Sequence, residues 1–338
     1  MRAVAVLTLI LLPVAALCTP ADAQRKGKGS LSGYDKSARA TVAHDTLVYV
    51  DPDDASQRVA EVLPGNEIVV IQRNGPWVKV FANINTNDDV DPDNDPEFKT
   101  PDQEPASGWI KDKGIVTAQT PDGDAILFGL AATFEDAAEQ PHAPKDAATE
   151  AHLLYRRVYQ YFPSSPLDAE AAYRSADIRW QLEKIANSTL PSAKEQEAFL
   201  RPQLYEGELR RVMKFYPNTR WAALSAYDLI DNKVCGDWQG LPKCPEMELN
   251  LYLKYVDQYR ESPKAPEAMY NAVYRLGVLV SLYSVDDDRK RVDDAKKRTQ
   301  DLAADMQARF PGNAYSARAA SVAYRVRQGI AIYGSDRD

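Results

Sequence analysis

The chain has 338 residues, 44% hydrophobic and 27% charged, enough for two or three globular units with buried cores. Its 41 Lys and Arg against 49 Asp and Glu leave a formal charge of −8, and the absence of a basic patch argues against nucleic acid as a partner. Three scattered histidines and three cysteines offer little for a metal centre or a Cys-His nucleophile, so neither a cofactor nor a catalytic group is assigned.

Met1-Arg2, the apolar run Ala3 to Leu17 and the small residues Ala21-Asp22-Ala23 have the plan of a secretory signal peptide over residues 1–23. The run is shorter than the roughly 20 residues a spanning helix needs. Cys18 opens an alternative, a lipidated anchor, although Leu17 stands where a small residue is usual. The expected location is therefore periplasmic or otherwise exported. An outer-membrane-tethered lipoprotein is the alternative, and peripheral membrane association follows only if Cys18 is lipidated. Residues 24–38, with Arg25, Lys26 and Lys28 among glycines and serines, read as a flexible tether.

Five short segments rich in β-branched and aromatic residues follow: Thr46 to Val50, Gln57 to Leu63, Glu67 to Ile71, Trp77 to Phe81 and Gly108 to Val116. Asp-Pro, Pro-Gly and Asn-Gly-Pro signals separate them, which predicts five strands in a small barrel. Between the fourth and fifth, residues 85–107 form an acidic insertion. From Asn85 to Glu104 eight acidic residues stand against Lys99 alone, a charge of −7. The alternation of Asp89, Asp91, Asp93 and Asp95 invites a calcium reading, but the turn Gly and terminal Glu of a calcium loop are missing, and a solvated acidic loop is expected.

Leu47-Val48-Tyr49-Val50-Asp51-Pro52, Val62-Leu63-Pro64-Gly65, Gly75-Pro76-Trp77-Val78-Lys79-Val80 and Gly108-Trp109-Ile110 together resemble the bacterial SH3-like (SH3b) domain over residues 39–118. The resemblance implies a noncatalytic binding or targeting module, in some members for peptidoglycan or peptides. Val48 and Val50 replace the polar and basic residues often found in the first strand of that family.

Residues 119–146 read as a linker with one short helix, Asp124 to Glu139, ended by Pro141 and Pro144. From Ala147 the pattern is helical to the end. Pro163 marks a corner that recurs at Phe215-Tyr216-Pro217, Tyr259-Arg260-Glu261-Ser262-Pro263 and Phe310-Pro311-Gly312. Before each corner stands an apolar pair at i, i+3: Tyr155 and Val158, Leu209 and Val212, Tyr252 and Tyr255, Ala303 and Met306. After each come small residues and Tyr: Ala169, Ala172 and Tyr173; Ala223, Ala226 and Tyr227; Ala268, Met269 and Tyr270; Ala317, Ala319 and Ala320. A helix, a corner and a small-residue helix form a stacking unit that cannot bury its face alone. Spacings of 43 to 54 residues require long helices or loops between corners. Cys235 and Cys244, nine positions apart across a Gly- and Pro-containing loop, are expected to form a disulfide in an oxidising compartment.

Ala151, Tyr155, Val158 and Pro163, followed by Ser165, Ala169, Ala172 and Ala176, fall at the spacings of the tetratricopeptide-type repeat. The region 147–338 resembles the variant found in periplasmic outer-membrane-assembly and cell-division-coordinator proteins. The resemblance implies an all-α TPR-like solenoid that presents a groove to proteins or peptides.

The fold class expected is thus multidomain, a small all-β barrel followed by an all-α solenoid. The function expected is an exported, noncatalytic scaffold whose partners are envelope proteins or peptides. The alternative is a structural protein that holds peptidoglycan through the barrel. Candidate ligand contacts are Tyr49, Trp77 and Trp109 on strands, and Arg174, Arg179, Trp180 and Trp221 on helices.

Overall fold

The computed structural model describes residues 38–84 and 104–334. Residues 1–37, expected to hold a signal peptide and tether, and nearly all of the acidic insertion lie outside the described residues, and with them the readings of export, lipidation and calcium. The first part is one antiparallel sheet of seven strands: β1 (Arg39–Val42), β2 (Thr46–Tyr49), β3 (Arg58–Val62), β4 (Glu67–Asn74), β5 (Trp77–Ala82), β6 (Ala106–Lys111) and β7 (Ile115–Thr117). Their order is β3-β2-β6-β5-β4-β1-β7. Alternating side chains point inward, as a half-buried sheet requires, and Ala40, Val42, Val48, Val62, Ile68, Val78, Val80, Ala82 and Ile110 form its core. Val62 of the edge strand β3 belongs to the same cluster as Ala40 and Val42 of β1.

Two expectations are corrected here. The segment Gly108 to Val116 is two strands, because the chain turns at Asp112–Gly114, where Gly114 takes a φ of 68°. Arg39–Val42 is an additional strand, too short to stand out in sequence. It is held because Ala40 pairs with both Ile68 and Thr117. The β4–β5 hairpin closes through Gly75 and Pro76, with a φ of 55° at Gly75 between the paired residues Asn74 and Trp77.

Nine α-helices follow among the described residues: α1 (Gly123–Ala138), α2 (Ala147–Tyr161), α3 (Asp168–Ser188), α4 (Gly207–Phe215), α5 (Arg220–Asp228), α6 (Lys243–Gln258), α7 (Ala265–Val285), α8 (Arg289–Arg309) and α9 (Ala314–Arg327). All four expected corners join a helix pair. The residues ending α2, α4, α6 and α8, namely Phe162, Tyr216, Tyr259 and Phe310, share one conformation, with φ between −123° and −128° and ψ between 52° and 60°. Each donates its N–H to the carbonyl four residues back, on Val158, Val212, Tyr255 and Met306. Three residues after each corner aromatic stands a small polar residue, Ser165, Thr219, Ser262 or Asn313. Its side-chain oxygen accepts from the N–H of Leu167, Ala222, Lys264 or Tyr315 at 2.8 to 3.2 Å. The third corner has Arg260 where the others have proline, and it keeps the same geometry. Proline favours the extended conformation in the residue before it, but aromatic and polar residue together suffice.

The eight apolar residues paired before the corners are all buried. After the corners, Ala172, Ala223, Ala268 and Met269 are buried, whereas in α9 Ala317 and Ala320 face outward. The inner face there is Ser316, Ala319, Val322, Ala323 and Val326. Unequal spacing has two causes. Residues 189–206 interpose two short 3-10 turns between α3 and α4, while the 21-residue lengths of α7 and α8 account for the separation of the last two corners. No helix among the described residues is long and apolar enough to cross a membrane.

Candidate functional site

The three sheet residues singled out from sequence come together. Tyr49 lies opposite Trp109, Trp109 opposite Lys79, and Trp77 opposite Lys111, which puts all five on the outer face of β2, β5 and β6. Tyr49 and Trp77 meet edge-on at 5.5 Å and bury each other. The Lys111 ammonium sits 3.8 Å from the Trp77 ring centre and 2.7 Å from Asp54 Oδ2. Trp109 is half-buried, with the Lys79 ammonium 6.0 Å from its ring centre.

The helical four separate. Trp180 is 1% exposed within the α3–α4 core, and Arg179 is 2% exposed, so neither is open to a ligand. Arg179 Nη1 bonds Glu208 at 3.1 Å, its Nε bonds Glu183 at 3.0 Å, and its guanidinium covers Tyr205 at 4.2 Å. Arg156 shares Glu208 and also donates to His152 Nε2 at 3.1 Å. Arginine has donors only, so Nε2 is the acceptor and Nδ1–H donates to the Ser175 carbonyl at 2.7 Å. Burial above all holds His152 neutral, with its pKa down at about 3. Burial alone would raise Glu208, but the charges of Arg156 and Arg179 and the Arg179 hydrogen bond override it and bring it to about 2. Arg174 is half-exposed but already paired with Glu135 at 2.7 Å and Glu170 at 2.9 Å.

Trp221 belongs to a regular feature. Tyr173, Tyr227 and Tyr270 each stand eleven residues after a corner aromatic, and Trp221, Lys264 and Tyr315 each stand five after the next one. The second set sits on the first. Trp221 stacks on Tyr173 at 5.5 Å, the Lys264 ammonium lies 5.1 Å from the Tyr227 ring centre, and Tyr315 lies 5.8 Å from Tyr270. All six are half-buried, so one face of α3, α5, α7 and α9 carries three successive rungs, aromatic, cation and aromatic.

Carboxylates line the same face. Lys264 bonds Glu267 at 2.8 Å, and Asp228 accepts from the Tyr173 hydroxyl at 3.2 Å. Asp177 on α3 bonds Gln181 at 3.0 Å. Burial first and the neighbouring Asp177 second push Asp228 up to about 7, and burial likewise raises Asp177. Near neutral pH this face therefore holds a carboxyl group poised between its protonated and ionised forms, beside tyrosines, and a cation is the chemical complement of that arrangement. Sequence reasoning singled out the tyrosines but missed Asp177 and Asp228, which occupy no common repeat position. The signal that was available is the five- and eleven-residue register.

Among the described residues no group of three or more His, Cys, Asp or Glu is placed to hold a metal ion. The Sγ atoms of Cys235 and Cys244 are 2.08 Å apart, the expected disulfide. Its loop borders a cavity of about 360 Å³ with Trp238, Glu248, Arg275 and Tyr333. Glu248 accepts there from Cys235 N, Trp238 Nε1 and Arg275 Nε, so Glu248 and Arg275 of its wall satisfy one another. Comparison with known protein families and with curated proteins finds no match for this chain.

Proposed function

We propose that the protein is an exported, noncatalytic binding scaffold, in which an SH3-like module precedes a TPR-type helical array, and that it recognises envelope proteins or peptides through the tyrosine face of α3, α5, α7 and α9. The observation that carries this reading is the repeated rung, in which a half-exposed Tyr of one helix pair is covered by the residue five past the corner of the next. Repeating units that present the same contact at successive positions suit an extended peptide. The middle rung supplies the chemistry. Lys264 lies against Tyr227 and Glu267, so the face already accommodates an ammonium group between an aromatic ring and a carboxylate. Asp177 and Asp228 lie on the same face and form no ion pair with Lys184 or Lys264, whose ammonium groups bond Asp231 and Glu267. The favoured ligand is accordingly a peptide segment carrying Lys or Arg.

Selection of short peptides displayed at random against the full chain tests this. Enrichment of basic sequences that is lost when Asp177 and Asp228 are both changed to Asn is the expected result. Equal enrichment by the doubly substituted protein, or selection of acidic sequences, refutes the assignment of the face.

A further inference from the structure

The sheet region is fastened to the first helix of the array around two fully buried side chains, Glu67 and Arg157. Eleven of the 15 residues of α2 are buried, far more than an end helix with one free side would show. Helices α1 and α3 flank it on two sides, and contacts with the sheet cover what they leave. At the turn before β4, Gly65 has a φ of 84°, and a Cβ there would stand 2.7 Å from Leu153 Cβ and 2.8 Å from the Leu154 nitrogen, so backbone lies directly on helix. The Gly65 carbonyl accepts from Arg157 Nε at 2.9 Å. Glu67, at the start of β4 and 0% exposed, is bonded by Arg39 at 2.6 Å and by the Tyr161 hydroxyl at 3.1 Å, and faces Arg157 Nη1 at 3.7 Å. Burial opposes ionisation of Glu67, and the charges of Arg157 and Arg39 with the hydrogen bonds of Arg39 and Tyr161 outweigh it, so the carboxylate stays charged. Val116 of β7 completes the seam, packing in one cluster with Leu127 and Ala131 of α1 and with Leu154, Tyr155 and Val158 of α2.

The two ends of the array differ. At the far end α9 turns an outer face of Ala317, Arg318, Ala320, Ser321 and Tyr324 to solvent and needs no cover. At the near end α2 presents Leu153, Leu154 and the buried guanidinium of Arg157, which solvent would not stabilise in place. Stacked helical units require a terminal element with a solvent-compatible outer side.

We infer that the sheet, with α1, is the fixed N-terminal cap of the helical array, joined to it as one cooperative unit, and is not a separately mobile ligand-binding module. Its Pro64-Gly65 turn and the Glu67 end of β4 are consumed by this role. The Tyr49, Trp77 and Trp109 face stays on the outside of a rigid body.

Hydrogen exchange on the full chain, with Glu67→Ala and the milder Tyr161→Phe, tests the inference. Removing the Glu67 carboxylate leaves Arg39 and Arg157 without their shared buried anion. The expected result is a single thermal transition for the unaltered protein, lowered by about 5–10 °C in Glu67→Ala. Faster exchange should appear together in β4 and in α2 and α3. Tyr161→Phe should shift the same amides in the same direction by less. A lesion confined to β4, with protection of α2 and α3 unchanged, overturns the inference, as does a sheet that melts in its own transition. If Glu67→Ala does not fold, the Tyr161→Phe exchange pattern decides alone. None of these readouts depends on the identity of the ligand.

Discussion

Replacing Asp228 by Asn should stabilise the protein at neutral and alkaline pH. In the folded protein the Asp228 carboxyl has a pKa raised from an ordinary 3.8 to about 7, by burial and by the nearby Asp177. Between those two values the folded form holds a proton that the unfolded form has lost, so stability falls as pH rises through the window and is constant above it. Converted at 1.36 kcal/mol per tenfold change, the full window corresponds to about 4 kcal/mol. Asparagine has no charge to desolvate and keeps an oxygen for the Tyr173 hydroxyl, so it avoids that cost. Urea unfolding of both proteins at a series of pH values measures the difference, which includes the relief of Asp177 from its charged neighbour. The advantage of the variant should be near zero around pH 4 and grow to about 4 kcal/mol by pH 8. A difference that does not change with pH, or a variant less stable throughout, would show that Asp228 is ionised in the folded protein and refute the reasoning.

Binding of a lysine-rich peptide should strengthen as pH rises from about 6 to 8, because below pH 7 the ligand must displace the Asp228 proton; titration calorimetry at several pH values checks this. His152, held neutral by burial with a pKa of about 3, has the opposite sign to Asp228. The unfolded chain binds the proton more readily, so stability is lost as pH falls from about 6.5 toward 3, and His152→Gln should flatten that limb of the unfolding curve. Reduction of Cys235–Cys244, or Ser at both positions, should cost somewhat under about 3 kcal/mol in urea unfolding, since the bond closes a short loop. Arg260→Pro should be tolerated and raise stability by about 0.5–1 kcal/mol, because Tyr259 already has the conformation found before the prolines of the other corners; a loss of stability by thermal unfolding would show that Arg260 itself cannot take proline's φ.

Much of the helical architecture was legible because it is local. The aromatic corner and the i, i+3 pair before it lie within nine residues of each other, and the four helix-joining corners followed from them. The sheet was less legible. Arg39–Val42 is a strand only because β4 and β7 lie on either side of it, which no four-residue pattern announces. The candidate site was half legible. Tyr49, Trp77 and Trp109 share a face because strand alternation puts them there, and alternation can be read from sequence. Trp180 and Arg179 resemble surface anchors in composition, but the insertion of residues 189–206 carries α4 back over them, and Glu208 reaches Arg179 across 29 positions. Asp177 and Asp228 acquire their significance from a separation in space that depends on how two helix pairs stack.

The third corner has a consequence for how this chain can change. Its turn is written twice, once by the residue that precedes the bend and once by the hydroxyl or amide three positions on. With both in place, the proline of the other three corners can be absent without straightening the joint. A fold assembled from such doubly specified joints can let its sequence wander while its outline stands still, and the copy carrying Arg260 is one step along that walk.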